Sequence, residues 1–195
     1  VTTAAFSGDG SRIMTAGFDM KQRLWDAATA KPLQTVEGRI DSDFSVAFSR
    51  DGAHLVSGAG DGKLKLWDAA TGKLIRTLAG HKDWINSVAI SHDGKRILSG
   101  GGNTVRKDEV RDTDIKLWDR ESGRLLRTFR GHTDPLHALA FSADGKRIVS
   151  GGGASPWSLG TKDYALRLWD AEQGRLLRSF AGHTEVIEAV AFSPD

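Results

Sequence analysis

Trp-Asp pairs recur at Trp25-Asp26, Trp67-Asp68, Trp118-Asp119 and Trp169-Asp170, spaced by 42, 51 and 51 residues. A second ladder runs through Phe6, Phe48, Ile90, Phe141 and Phe192 at intervals of 42, 42, 51 and 51. A fixed period of this length marks an array of small units, each unable to bury its apolar face alone and each stacking on its neighbour. Whatever the fold, it repeats one unit four times.

The unit is built of strands. SVAFS, HLVSG, KLKLWD and KLIRTL in one copy, and LHALAFS, RIVSG, ALRLWD and RLLRSF in another, alternate or bunch apolar residues over four to six positions. Asp-Gly pairs at 9-10, 51-52, 93-94 and 144-145 join the first two runs, and Thr71-Gly72, Ser122-Gly123 and Gln173-Gly174 follow the Trp-Asp pair. Glycine at these joins supplies the positive φ of tight hairpins. Each unit is therefore expected to be a four-stranded antiparallel meander, and helical periodicity is absent.

Composition excludes several classes. With 39% hydrophobic and 27% charged residues and 23 glycines, the 195-residue chain fits a globular protein rich in turns. The net charge of +2, from 27 basic and 25 acidic residues, implies no polyanion partner. Absence of cysteine rules out disulfides and thiolate metal sites. No apolar run reaches the roughly 20 residues that span a bilayer. Residues 1 to 30 lack the pattern of a signal peptide. A soluble chain with no membrane partner is expected, with a cytoplasmic location as the default although secretion fits equally well. Because Val1 falls within a strand-like pattern and Ser193-Pro194-Asp195 leaves the pattern incomplete, the chain is expected to be a fragment.

Gly-His at 80-81, 131-132 and 182-183, Ser-x-Asp-Gly turns, an Asp six residues before each Trp and the closing Trp-Asp recur together along the chain. This combination resembles the WD-repeat β-propellers, with closely similar copies of the kind seen in bacterial tandem arrays. The resemblance implies an all-β fold: an arc of about four four-stranded antiparallel blades, part of a ring of seven or eight. The whole of 1-195 is then a single propeller segment, with repeat units at about 7-48, 49-90, 91-141 and 142-192. An open arc exposes sheet edges, so further blades of the same chain or a second copy are expected to cover its ends. The run Val186 to Ser193 is expected to begin the next blade.

His81, Ser99 and Asp112 have the residue types of a hydrolase triad, nucleophile, base and orienting acid. The set recurs, however, as His132, Ser150 and Asp163, and in part as Ser57 with Asp61 and Thr15 with Asp19. Catalysis needs such a set once, whereas a structural network is needed in every blade. In the family that the chain resembles, His, Ser or Thr, Asp and the Trp indole form a hydrogen-bonded network. That assignment falls on His81, Ser99, Asp112 and Trp118, and on His132, Ser150, Asp163 and Trp169. Ser57, Asp61 and Trp67, and Thr15, Asp19 and Trp25, carry partial versions. Arg39 replaces the histidine of the blade containing Ser57, which is expected to be looser.

No other chemistry stands out. Three of the six histidines are Gly-His positions, and His54, His92 and His137 lack ligand spacing, so no metal or cofactor is expected. Gly100-Gly101-Gly102 and Gly151-Gly152-Gly153 are followed by neither Gly-Lys-Ser/Thr nor a helix start, as a phosphate cradle requires. The longer repeats carry nine extra residues between the serine and the aspartate, in 100-111 and 151-162, on the face that family geometry assigns to the Gly-His loop. Insertions on one face of a repeat scaffold are where a binding site arises. Trp84, Trp157, Arg106, Lys107 and Leu159 are the candidate partner-binding residues, because Trp and Arg are enriched at interface hot spots. A protein-protein interaction scaffold without catalysis is expected, serving as the sensing or targeting region of a larger protein. The alternative is a hydrolase using one Ser-His-Asp set. Arg106, Lys107 and Arg111 are too few, and too well offset by Asp108 and Glu109, for nucleic acid.

Overall fold

A computed structural model describes residues 3-17, 21-37, 43-102, 112-154 and 161-193. The first sheet contains β1 (Thr3–Phe6), β2 (Arg12–Ala16), β3 (Lys21–Asp26) and β4 (Pro32–Glu37). The second holds β5 (Asp43–Phe48), β6 (His54–Ala59), β7 (Lys63–Asp68) and β8 (Leu74–Ala79). The third holds β9 (Ile85–Ile90), β10 (Arg96–Gly101), β11 (Ile115–Asp119) and β12 (Leu125–Phe129). The fourth holds β13 (Leu136–Phe141), β14 (Arg147–Gly152), β15 (Leu166–Asp170) and β16 (Leu176–Phe180). Each sheet is an antiparallel meander in chain order, and no helix occurs among the described residues.

The sheets stand side by side as blades of an arc. Their first strands neighbour one another in turn, β1 beside β5, β5 beside β9 and β9 beside β13. The four sheets do not close. Two repeated turns set the meander. In the first, Ser49 Oγ donates to Asp51 Oδ1, which also accepts the Ala53 amide, while Gly52 takes a φ of 66°. In the second, the Asp of the Trp-Asp pair caps the turn: Asp68 Oδ1 accepts the amide and hydroxyl of Thr71, each at 2.7 Å, and Gly72 follows at φ 64°.

The core lies between blades. Val56, Leu64, Leu66 and Leu78 of the second blade meet Ile85, Val88, Ile97 and Trp118 of the third. Leu98, Ile115, Leu117 and Phe129 of the third meet Leu136, Leu139, Ile148 and Trp169 of the fourth. Met14, Ala16 and Leu24 meet Val46, Leu55 and Trp67 in the same way. Each fully buried large side chain stabilises this stack by roughly 1.5–3 kcal/mol. On the far face of the fourth blade the equivalent of buried Phe129 is Phe180, which is 44% exposed.

The run Val186 to Ser193 departs from expectation. Among the described residues it forms no ladder, and the Ile187 amide donates to the Gly152 carbonyl. Even so, Ile187 and Val190 pack over Gly151 as Ile85 and Val88 pack over Gly58. The segment thus takes the place of an inner strand, and strand geometry is missing because among the described residues no neighbouring strand pairs with it.

The same packing makes a prediction. A Cβ on Gly58 would stand 2.5 Å from Ile85 Cγ2, inside the interface between blades, whereas one on Gly94, at φ 70°, meets nothing within 4 Å. Gly58→Val is expected to lower stability by about 1–3 kcal/mol. Gly94→Asn, keeping a residue that tolerates positive φ, is expected to cost no more than about 0.5 kcal/mol. Urea unfolding of the two variants checks both.

Candidate functional site

In the third blade the loop before β9, strands β10 and β11 and the loop between them converge on one buried chain of polar groups. The Trp118 indole Nε1 donates to Ser99 Oγ at 2.8 Å, and Ser99 Oγ lies 2.7 Å from His81 Nε2. His81 Nδ1 lies 3.1 Å from Asp112 Oδ2, which also accepts the Lys82 amide at 2.8 Å. Every proton is matched if Ser99 donates to Nε2 and Nδ1–H donates to Asp112. The fourth blade repeats this with Trp169, Ser150, His132 and Asp163. Asp163 Oδ2 accepts the Thr133 amide at 2.9 Å.

The geometry accounts for Gly-His as well. A Cβ on Gly80 would lie 2.7 Å from Trp118 Cη2, so the indole needs a glycine beside the histidine. Ser99 and Ser150 are both 0% exposed. Their hydroxyls face His as a nucleophile would, yet no substrate reaches them without opening the blade.

Each network has a fifth member that the sequence reading overlooked. Lys116 Nζ donates to both carboxylate oxygens of Asp112, at 2.9 and 2.8 Å, and is buried. Arg167 does the same to Asp163, at 2.9 and 2.8 Å. The signal was present: a basic residue, Arg23, Lys65, Lys116 or Arg167, stands two places before the Trp of every Trp-Asp pair and four after every network Asp.

Electrostatics follow from these contacts. Burial alone would raise the Asp112 pKa, but bonds from His81, Lys116 and the Lys82 amide outweigh it and hold the carboxyl well below the usual range. Asp163 is held down in the same way by His132, Arg167 and the Thr133 amide. Burial pushes His132 below its ordinary 6.5, the bond to Asp163 opposes the shift, and the Arg167 charge adds to it.

Among the described residues the first two blades carry less. Trp67 Nε1 donates to Ser57 Oγ at 3.0 Å and Trp25 Nε1 to Thr15 Oγ1 at 2.8 Å. Asp61 does not join Ser57; it turns to its own Lys63, accepting the amide at 3.0 Å and Nζ at 3.1 Å. Asp19 and Arg39 lie outside the described residues.

Loops at this end of the blades are stitched together. The Gly102 amide donates to the Trp84 carbonyl, and Thr113 Oγ1 donates to the His132 carbonyl at 2.6 Å. Asp134, 0% exposed, accepts the amides of Thr161 at 2.9 Å and Asp163 at 2.7 Å, closing the second insertion from its far side. Tyr164 OH donates to the Ala154 carbonyl across that insertion's base. Both insertions therefore spring from the face that carries the histidine loops. Trp84 sits half-buried beside the first. Arg106, Lys107, Trp157 and Leu159 lie outside the described residues. Among the described residues no group of three His, Cys, Asp or Glu could hold a metal ion.

Two outcomes test the network. Lys116→Met leaves Asp112 buried without its cation and is expected to cost about 3–5 kcal/mol, part of which Asp112→Asn in the same chain restores. The pH dependence has a defined sign. The lowered His132 pKa leaves stability whole above 6.5 and removes it as pH falls below that value. The lowered Asp112 and Asp163 values hold stability above 3.8 and lose it as pH falls further. Urea midpoints are expected to decline in two steps on acidification, and His132→Gln is expected to shrink the upper one, to which His54, also held below 6.5 by burial and by the Arg120 charge, contributes the rest.

Comparison with known proteins agrees with this architecture. The sequence pattern of the family described as WD domain, G-beta repeat matches residues 30-68, 72-119 and 123-170. Nuclear distribution protein PAC1 of Coccidioides posadasii is 34% identical over 84 residues, 43% of this chain and 16% of that protein. Human WD repeat and SOCS box-containing protein 1 is 33% identical over 82 residues, 42% of the chain and 18% of that protein. Protein Notchless of Drosophila melanogaster is 31% identical over 84 residues, 43% and 15% respectively. The matched segments thus span under a fifth of each relative. With its networks, glycines and Trp-Asp turns in these positions, the chain belongs to the WD-repeat family.

Proposed function

We propose that this chain is a protein-interaction scaffold that binds a protein or peptide on the face carrying its histidine loops and two insertions, and that it performs no catalysis of its own. The observation that carries this reading is the anchoring of both insertions on one face, by Asp134, Tyr164, Thr113 and the Trp84 carbonyl. Rigid stems pre-pay the ordering cost of a binding loop, which raises the affinity that the loop residues can deliver. Trp84, Trp157, Arg106, Lys107 and Leu159 supply the aromatic, cationic and apolar groups of the contact. WD-repeat proteins generally bind other proteins, which supports the class of partner. In a longer protein, the segment would serve as a sensing or targeting region.

The scaffold reading is also supported by what the Ser-His-Asp sets do. Their serines are buried beside tryptophan and engaged at both hydrogen-bonding ends, and the arrangement occurs twice. Recurrence is what stacking blades require and is superfluous for a single reaction centre.

Affinity capture with the chain and with a Trp84→Ala, Trp157→Ala variant is the test. Truncation of an interface hot spot costs about 2 kcal/mol or more, so proteins retained by the parent chain are expected to be lost by the variant while its far-UV spectrum is unchanged. Retention of the same proteins by both would remove this face as the site. A serine-directed activity probe is expected to leave Ser99 and Ser150 unlabelled; labelling of either would establish the hydrolase instead.

A further inference from the structure

Each blade ends in an edge strand, and three of the four carry the same exposed pattern. Lys73-Leu74-Ile75-Arg76, Arg124-Leu125-Leu126-Arg127 and Arg175-Leu176-Leu177-Arg178 open β8, β12 and β16. Leu74 and Ile75 are 50% and 48% exposed, Leu125 and Leu126 42% and 38%, and Leu176 and Leu177 46% and 41%. Among the described residues these strands are paired on one side only, to β7, β11 and β15. Unpaired backbone groups beside exposed apolar side chains form a template for another strand.

The flanking charges decide which strand. If this pattern paired with itself in antiparallel register, its two cations would lie opposite each other, and parallel pairing would juxtapose like charges as well. Like charges directly across a ladder are destabilising. A second copy is therefore disfavoured at this edge, whereas a segment of the form acid-apolar-apolar-acid places a carboxylate opposite each cation. The second cation of two of the patterns is already held in place. Arg127 reaches the Gln173 carbonyl of the next blade, and Arg76 lies along Gly123. Both contacts are with neutral groups, and among the described residues neither arginine forms an ion pair.

The first blade is an internal control. Its edge strand β4 opens Lys31-Pro32-Leu33-Gln34, where proline lacks a backbone donor and glutamine replaces the cation. We infer that the outer edges of the second, third and fourth blades, but not the first, accept extended acidic-apolar protein segments by strand addition. This surface is separate from the loop face proposed above, so either can fail without the other.

The test uses the full chain and a fluorescein-labelled decapeptide centred on Glu-Val-Leu-Glu, with Lys-Val-Leu-Lys as its counterpart. Saturable, salt-weakened binding of the acidic peptide is expected, together with slowed amide exchange in β8, β12 and β16 and none gained in β4. Combined Lys73→Glu, Arg124→Glu and Arg175→Glu, which leaves one cation and one anion at each edge, is expected to weaken the acidic peptide about tenfold and to abolish its preference over the lysine peptide. Replacing Leu125 and Leu126 by threonine, which keeps strand propensity, is expected to release protection in β12 alone. Equal binding of the two peptides by the parent chain, unchanged preference after charge reversal, preferential binding of phosphatidylserine vesicles, or no binding at all would each overturn the inference. In the last case the arginines act only to keep the edges apart.

Discussion

The seating of a tryptophan, Trp67, Trp118 or Trp169, between its own blade and the one before it is the contact on which the rest depends. Its ring belongs to the interface core: Trp118 beside Leu64 and Leu78, Trp169 beside Ile115 and Phe129. Its indole N–H then sits in a place without water and needs an acceptor, since a buried, unpaired donor is costly. Ser57, Ser99, Ser150 and Thr15 meet that need from the adjacent strand. Once the serine is buried, its proton requires a partner, and histidine and aspartate extend the chain until it reaches a group that can carry charge.

That extension explains both what is repeated and what varies. In the third and fourth blades the chain runs to an ionised aspartate, whose burial is offset by Lys116 or Arg167. In the second blade it can be followed, among the described residues, only to Ser57, and Asp61 turns outward to Lys63. The tryptophan-to-hydroxyl bond is common to all four blades, whereas among the described residues the charged end joins it only where histidine links it to the serine. The two blades with the complete network also carry the long insertions. There the network aspartate holds the amide of Lys82 or Thr133, so the charge that closes the network also fixes the loop from which a partner contact would rise.

Scaffold and recognition thus draw on different parts of one repeat. Inner strands and interface cores are nearly invariant from blade to blade because they must fit one another. Two regions escape this constraint: the loops on the histidine face and the outer edge strands, each open to solvent on one side. Sequence differences between blades gather at both, in the insertions of the third and fourth repeats and in Pro32 and Gln34 of the first. A stack that is rigid inside can vary there without disturbing its own packing.

Strand content, meander order, turn positions and the polar set of each complete blade were determined by the sequence alone, because all are local or recur with a fixed period. Two full copies and two partial ones already argue for a structural network over a catalytic triad before any coordinate is known. The tertiary structure decided what depends on neighbours. Lys116 looks like an ordinary solvated strand lysine until the fold buries it against Asp112, and Asp134 looks like a loop aspartate until it closes the base of an insertion from another loop. Asp61 keeps the network spacing yet leaves the network. Val186 to Ser193 keeps the apolar pattern of an inner strand and packs as one, but a ladder needs a second strand, and that is a property of the assembly rather than of the segment.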